Sequence, residues 1–175
     1  MKTKLTTMMA IFITVVTFAQ ENWKTLKAES YAITYPENWV SSDQKPQPSM
    51  LFLLLAEETS QNDDKFRENI NLTTEDLAGQ TFTIDAYAKL STDQITAQIP
   101  TAKVELSEAT KLDGQDAWSV IWSADFGNGM VLKFNQVFLI SGGTAYVLTF
   151  SSTTTEYDSY IDVAKKVLNS FKLAK

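Results

Sequence analysis

Three strand-like segments follow one another between residues 117 and 152, with only short glycine-rich connections between them. They read AWSVIWSAD, MVLKFNQVFLI and TAYVLTFSS. The connections Gly127-Asn128-Gly129 and Ser141-Gly142-Gly143 are rich in residues that accept a positive φ, as tight hairpin turns require. The sequence therefore predicts an antiparallel meander in this half of the chain.

Further strands are predicted upstream. NWKTLKAES and YAITY read as two short strands, and Pro36 ends the second because it has no N–H to donate to a neighbouring strand. MLFLLLAE is a continuous apolar run, which is typical of a strand covered on both faces. INLTTEDL and KVELSEATKL predict two more strands, and Asp113-Gly114 predicts a turn after the second.

Two segments have the spacing of amphipathic helices. The first starts at Thr83 and is closed by Pro100, and the second has Thr155 and Asp158 in a capping-box arrangement at its start. The apolar stripe of the second helix consists of Tyr157, Tyr160, Ile161, Ala164, Leu168 and Phe171. An antiparallel β-sheet with two well-separated α-helices predicts an α+β layered sandwich in one domain.

The first 19 residues have the pattern of a secretory signal peptide. Lys2 and Lys4 precede the largely apolar stretch Met8–Phe18, and Ala19 supplies the small residue before cleavage. A buried N-terminal helix is the alternative. We predict that residues 1–19 are a signal peptide and that residues 20–175 form one domain that is exported, periplasmic or secreted, and soluble. No cysteine follows the apolar stretch, so a lipid anchor is excluded and no membrane anchor is expected.

Charge and composition exclude several classes of function. Without residues 1–19 the chain has 13 lysines and arginines against 21 aspartates and glutamates, a formal net charge of −8. Such a chain is a poor partner for nucleic acid or anionic lipid. The sequence contains no histidine and no cysteine, which excludes Ser-His-Asp triads, thiol nucleophiles and ordinary zinc sites. We predict no cofactor and no metal site, and interpret Asp63-Asp64 and Asp113-Gly-Gln-Asp116 as solvated turns because EF-hand spacing is missing.

The order of elements, together with certain short motifs, resembles the PsbP-like fold. The motifs are ITYPENW (33–39), TIDAYAK (83–89) and the C-terminal block GQDAWSVIWS, LKFNQVFLISGGTAYVLTFSS and AKKVLNSFKL. This superfamily takes in the photosystem II protein PsbP, the Ran-binding Mog protein and the DcrB-like bacterial proteins. The resemblance covers residues 20–175 and implies a PsbP-like αβα sandwich that serves as an accessory, docking or chaperone-like module and not as an enzyme. It implies no functional residues, because the motifs are packing and turn signals.

Four aromatic residues are candidate contacts for a partner or ligand: Trp39, Phe66, Trp118 and Trp122. Trp39 follows a strand-ending proline, where an aromatic residue more often caps the core. Trp118 and Trp122 are four apart on one strand and share a face, where they either line a pocket or pack beneath a helix, the second being favoured. Phe66, in the polar loop Glu57–Asn69, either anchors a partner or pins the loop to the core.

Three hypotheses about function remain open. The first is a non-catalytic, extracytoplasmic docking domain whose partner is an unknown envelope protein or assembly, and the second is a carrier that holds a small apolar ligand between sheet and helix. The third and weakest is a hydrolase with paired carboxylates. A cavity of several hundred Å³ favours the carrier, an exposed apolar patch favours docking, and a buried carboxylate pair in a cleft favours the hydrolase.

Overall fold

The computed structural model describes residues 22–61, 65–127 and 129–174. The predicted signal peptide and Asp63-Asp64 lie outside the described residues. In chain order the elements are β1 (Trp23–Lys27), β2 (Tyr31–Pro36), β3 (Val40–Ser41), β4 (Met50–Leu55), a 3-10 helix (Glu58–Gln61), β5 (Asn69–Asp76), α1 (Ile84–Gln98), β6 (Lys103–Leu112), β7 (Gln115–Asp125), β8 (Val131–Ser141), β9 (Thr144–Thr153), α2 (Tyr157–Asn169) and β10 (Lys172–Leu173).

The predicted meander is present and extends over four strands. A seven-stranded antiparallel sheet has the order β3-β4-β5-β9-β8-β7-β6, so β6 to β9 lie side by side in sequence order. Ser141 pairs with Thr144, which leaves Gly142 and Gly143 as a two-residue turn with φ of 60° and 77°. Two successive positive φ angles are what a type I′ hairpin turn needs. A second, three-stranded sheet has the order β1-β2-β10.

Helices cover opposite faces of the large sheet, as the α+β prediction requires. On one face α2 packs against β9 and also against β2 of the small sheet, while α1 packs against β6, β7 and β8 on the other face. Each face has its own hydrophobic cluster. The α2 side includes Ile33, Leu54, Leu72, Leu139, Leu148, Phe150, Leu168 and Phe171, and the α1 side includes Tyr87, Ala88, Val120, Trp122, Ala124 and Phe138.

The second helix buries Tyr157, Ala164 and Leu168 of its predicted stripe, together with Val167. The stripe residues Tyr160 and Ile161 are half-buried, and Phe171 is buried just beyond the end of the helix. The predicted capping box is wrong. The residue before the helix is Glu156, which has helical φ and ψ and makes no side-chain cap hydrogen bond. The Thr155 hydroxyl instead shares a hydrogen bond with the Thr153 hydroxyl at 3.1 Å, so it is drawn toward the end of β9.

Strand β4 differs from the prediction that both of its faces are covered. Met50, Phe52 and Leu54 are buried, whereas the alternate residues Leu51, Leu53 and Leu55 are half-buried. The physical reason is the position of α1, which lies over β6 to β8 and not over β4. The second face of β4 is therefore only partly shielded from water.

Candidate functional site

Trp39 lies in the core and forms part of a wide cleft. Its side chain is 2% exposed, and its ring packs against the Tyr160 ring of α2 with 6.5 Å between centroids. A turn in which the Trp39 N–H donates to the Pro36 carbonyl (3.1 Å) directs the ring inward. The opening next to it, which we call the Trp39 cleft, has a volume of about 740 Å³. Its lining consists of Asn22, Pro36, Glu37, Asn38, Trp39, Glu57, Ser159, Tyr160 and Val163.

Glu57 accepts two side-chain hydrogen bonds at the Trp39 cleft. Asn38 Nδ2 donates to Glu57 Oε2 at 3.3 Å, and the Tyr160 hydroxyl donates to Glu57 Oε1 at 3.4 Å. Burial, followed by the negative charges of Glu57, Glu68 and Glu156, raises the pKa of Tyr160 to about 12. The Tyr160 hydroxyl therefore stays protonated and acts as a donor.

Trp118 lines a second opening, on the other face of the large sheet. This Trp118 cleft lies between the start of α1 and strands β6 to β8 and has a volume of about 600 Å³. Its residues are Phe82, Thr83, Ile84, Asp85, Ala109, Thr110, Gln115, Asp116, Ala117, Trp118 and Ile140. Trp118 is half-buried, and its Nε1 donates to Ser107 Oγ at 2.8 Å, which fixes the ring against the sheet.

Trp122 does not line this cleft but belongs to a separate aromatic patch. Its ring stacks on Phe134, directly opposite on β8, at 4.1 Å between centroids, and Phe126 meets Phe134 edge-on at 6.0 Å. Trp122 is 6% exposed, whereas Phe126 is 45% exposed. Two exposed side chains adjoin these rings. Val104 is the β6 partner of Trp122, and Met130 lies across the turn from Phe126. We call this group the Phe126 patch.

A chain of hydrogen bonds holds the Trp122 ring of the Phe126 patch in place. Trp122 Nε1 donates to Gln136 Oε1 at 2.8 Å, and Gln136 Nε2 donates to Thr149 Oγ1 at 3.1 Å. These bonds link β7, β8 and β9 across one face of the sheet. The indole cannot rotate without breaking them, so the Trp122 ring at the base of the patch has a fixed orientation. Sequence reasoning missed Phe126, although an aromatic residue beside a Gly-x-Gly turn was a signal for an exposed ring.

The four predicted aromatic contacts lie on separate surfaces. Trp118 and Trp122 share a face of β7, as predicted, but Trp39 lies on the opposite side of the sheet. Phe66 is half-buried between the 3-10 helix and β5, next to residues 62–64, which are not described. Its role as a partner contact stays a prediction.

The acidic turn at Asp113 has a structural use. Asp113 Oδ2 accepts from the Leu173 N–H and Oδ1 pairs with Lys172, both at 3.0 Å, which ties β10 to the β6–β7 turn. Asp116 pairs with Lys111. Within residues 22–61, 65–127 and 129–174, no three Asp or Glu side chains are grouped so that they could hold a metal ion.

The comparison with protein families agrees with this architecture. The family described as PsbP matches residues 24–173. The chain belongs to the PsbP family. A comparison with curated proteins found no significant match. Among the described residues no helix is both long and apolar enough to cross a membrane.

Solved structures with the same fold come from distant organisms. Cyanobacterial PsbP (CyanoP) of Synechocystis has a TM-score of 0.61 at 15% identity, covering 93% of this chain and 97% of its own. LpqN of Mycobacterium tuberculosis, involved in cell envelope biogenesis, has a TM-score of 0.56 at 16% identity, covering 89% and 92%. The Ran-binding protein Mog1p of Saccharomyces cerevisiae has a TM-score of 0.61 at 8% identity, covering 88% and 96%. At these identities the likeness concerns the fold.

Proposed function

We propose that this PsbP-family protein is an exported, non-catalytic docking module that binds another envelope protein through the Phe126 patch. The observation that carries the proposal is the half-exposed Phe126 ring, which extends a stack of aromatic side chains into solvent. Exposed apolar patches held on a rigid frame are common at protein interfaces, and aromatic residues often carry most of the binding energy there.

Two further facts support docking over catalysis. The sequence has no histidine or cysteine to serve as a nucleophile or general base at neutral pH. In other organisms the same fold occurs in Mog1p, a Ran-binding protein, and in LpqN, which is involved in cell envelope biogenesis. Export through the predicted signal peptide would bring this chain to the same compartment as envelope proteins.

The test is cross-linking of the exported protein within its own cell envelope, followed by mass spectrometry of the captured proteins. Phe126→Ser removes the exposed ring, and Leu90→Ser is the matched control because Leu90 is 43% exposed on α1. We expect one protein to be captured by the wild type and by Leu90→Ser. Its capture by Phe126→Ser should fall about 30-fold, as expected for an aromatic anchor worth roughly 2 kcal/mol.

The same variants show whether folding explains the loss. Because Phe126 is about half exposed, we expect Phe126→Ser to melt within a few degrees of the wild type. Equal capture by Phe126→Ser and wild type would exclude the Phe126 patch as the docking surface. Equal loss in both variants would show that capture depends on general surface hydrophobicity and would also refute the proposal.

A second candidate function is transport of a small apolar ligand in the Trp118 cleft. It is favoured by the apolar side chains Phe82, Ile84, Trp118 and Ile140, which converge on an opening of about 600 Å³ between helix and sheet. The emission of an apolar probe such as 1-anilinonaphthalene-8-sulfonate reports occupancy, because the chain has four tryptophans and their own fluorescence is not specific for this cleft. A saturable blue shift of the probe emission, abolished by Trp118→Ala and kept by Phe126→Ser, would support this function over docking.

A further inference from the structure

Four separate segments of the chain build the Trp39 cleft. The end of β2 and the turn after it provide residues 36–39, and the connection between β4 and the 3-10 helix provides Glu57. Helix α2 provides Ser159, Tyr160 and Val163, and Asn22 precedes β1. Because these segments belong to different layers, the cleft is a concave junction between the small sheet, α2 and the large sheet. It is open to solvent and has a volume of about 740 Å³, within the range of known ligand sites.

The charged residues that line this cleft are all acidic. Glu37 and Glu57 line it, and none of the lining residues is a lysine or an arginine. Glu57 accepts hydrogen bonds from Asn38 and Tyr160, which are both neutral donors, and in the described part of the chain it forms no ion pair. Arg67 and Lys24 lie nearby but outside the lining, where each donates to a backbone carbonyl. The lining of the cleft itself is therefore negatively charged.

Aromatic rings lie beside that charge. Tyr160 is half-buried at the wall and Trp39 forms the floor. The face of an aromatic ring attracts a cation through the quadrupole of the ring. The chain already uses this chemistry close by: Lys24 Nζ lies 5.2 Å from the Tyr35 ring centroid and donates to the Trp39 carbonyl at 2.9 Å.

We propose that the Trp39 cleft binds a lysine or arginine side chain of a partner protein, with Glu57 as the charged acceptor and Tyr160 as the aromatic wall. Asn22 and Asn38 can hydrogen-bond the peptide groups that flank such a side chain, and this argues for a basic peptide and against a free amine. The site is distinct from the Phe126 patch, and the inference does not depend on the docking proposal.

The test uses short peptides and not the unidentified partner. Nitrogen-15 NMR of the domain is titrated at low salt with an N-acetylated, C-amidated Lys-Lys-Lys peptide, its Arg-Arg-Arg counterpart, and a version with all three lysines acetylated. We expect saturable shifts at the Trp39 indole N–H and the Asn38 amide with the two basic peptides, and none with the acetylated peptide. Cadaverine, a free diamine, is titrated in parallel and should bind more weakly than the peptides.

Two cleft variants and two control variants show which residues bind the peptide. Glu57→Gln should weaken binding of the lysine peptide about tenfold, the loss of one charge-assisted hydrogen bond. Glu37→Gln should also weaken it, and serves as a second variant because Glu37 is exposed. Glu108→Gln removes the same charge from exposed β6 and should change nothing, and Phe126→Ser should bind the peptide normally.

Several results would overturn the inference. They are the absence of saturable binding by the wild type, equal weakening by Glu108→Gln, and shifts that map away from the cleft. Cadaverine binding as tight as the peptide would also overturn it, because that would assign the cleft to small amines. Loss of peptide binding leaves the docking proposal untouched, since that proposal is tested at Phe126 with the envelope partner.

Discussion

Truncation of one core residue of α2 tests how the helix contributes to stability. Leu168 is 2% exposed and belongs to the cluster between α2 and the two sheets. Leu168→Ala removes three carbon atoms from this cluster, which costs about 2.4 kcal/mol at roughly 0.8 kcal/mol for each buried carbon. The neighbours Ala164, Val167 and Phe171 are fully buried, so a cavity remains that water does not fill and the cost rises further.

The expected loss for Leu168→Ala is therefore about 3–4 kcal/mol, near the middle of the measured range for such substitutions. For a domain of this size each kcal/mol lowers Tm by about 2–4 °C, so a decrease of roughly 6–16 °C is expected. Urea unfolding followed by circular dichroism gives the free energy of unfolding, and differential scanning calorimetry gives Tm.

Lys165→Ala is the matched control on the same helix. Lys165 is exposed, and alanine keeps helix propensity, so the free energy of unfolding should change by less than about 0.5 kcal/mol. A loss below about 1 kcal/mol for Leu168→Ala, or equal losses for the two variants, would refute the orientation of α2. The layered arrangement on that face of the sheet would then be wrong.

Three other predictions concern pH and processing. Lys133 Nζ lies 2.7 Å from a Glu105 carboxylate oxygen and holds the Glu105 pKa below its ordinary value. The pair therefore stabilises the fold above that ordinary value, and the stabilisation is lost as pH falls through the lowered pKa. In urea titrations Glu105→Gln should cost at most about 1 kcal/mol at pH 7 and nothing near pH 2. The Tyr160 pKa is raised to about 12 from 10.0, so the protonated hydroxyl stabilises the fold below pH 10 and this stabilisation is lost as pH rises through 12. Between these pH values the free energy of unfolding of Tyr160→Phe should therefore fall less than that of the wild type. Exported protein should begin at Gln20 in N-terminal sequencing, and full-length chain kept in the cytoplasm would contradict export.

The fold was largely predictable because its signals are local. The turn Ser141-Gly142-Gly143, the strand end at Pro36 and the α2 stripe each depend on a few neighbouring residues. The errors came from tertiary context. The predicted cap at Thr155 failed because that hydroxyl bonds to Thr153, and the second face of β4 is half-open because α1 covers other strands.

The candidate sites were much less predictable. Aromatic residues at 39, 118 and 122 stood out from the sequence, but nothing local distinguished a buried ring from an exposed one. Trp122 is almost fully buried by Phe134 from the next strand, while Phe126, four residues further on, is left half-exposed. Which ring meets solvent depends on strand register, and register is a property of the paired strands.

By itself the sequence determined the antiparallel meander, the two amphipathic helices and the absence of imidazole and thiol chemistry, because periodicity, turn residues and composition are properties of single segments. Only the tertiary structure decided where charge and apolar surface collect. Glu57 and Tyr160 are about a hundred residues apart in the chain, yet their side chains share a hydrogen bond at the wall of the Trp39 cleft. Such a contact arises when α2 packs across the layers of the sandwich, since burial of the helix stripe sets the position of every polar group at its border.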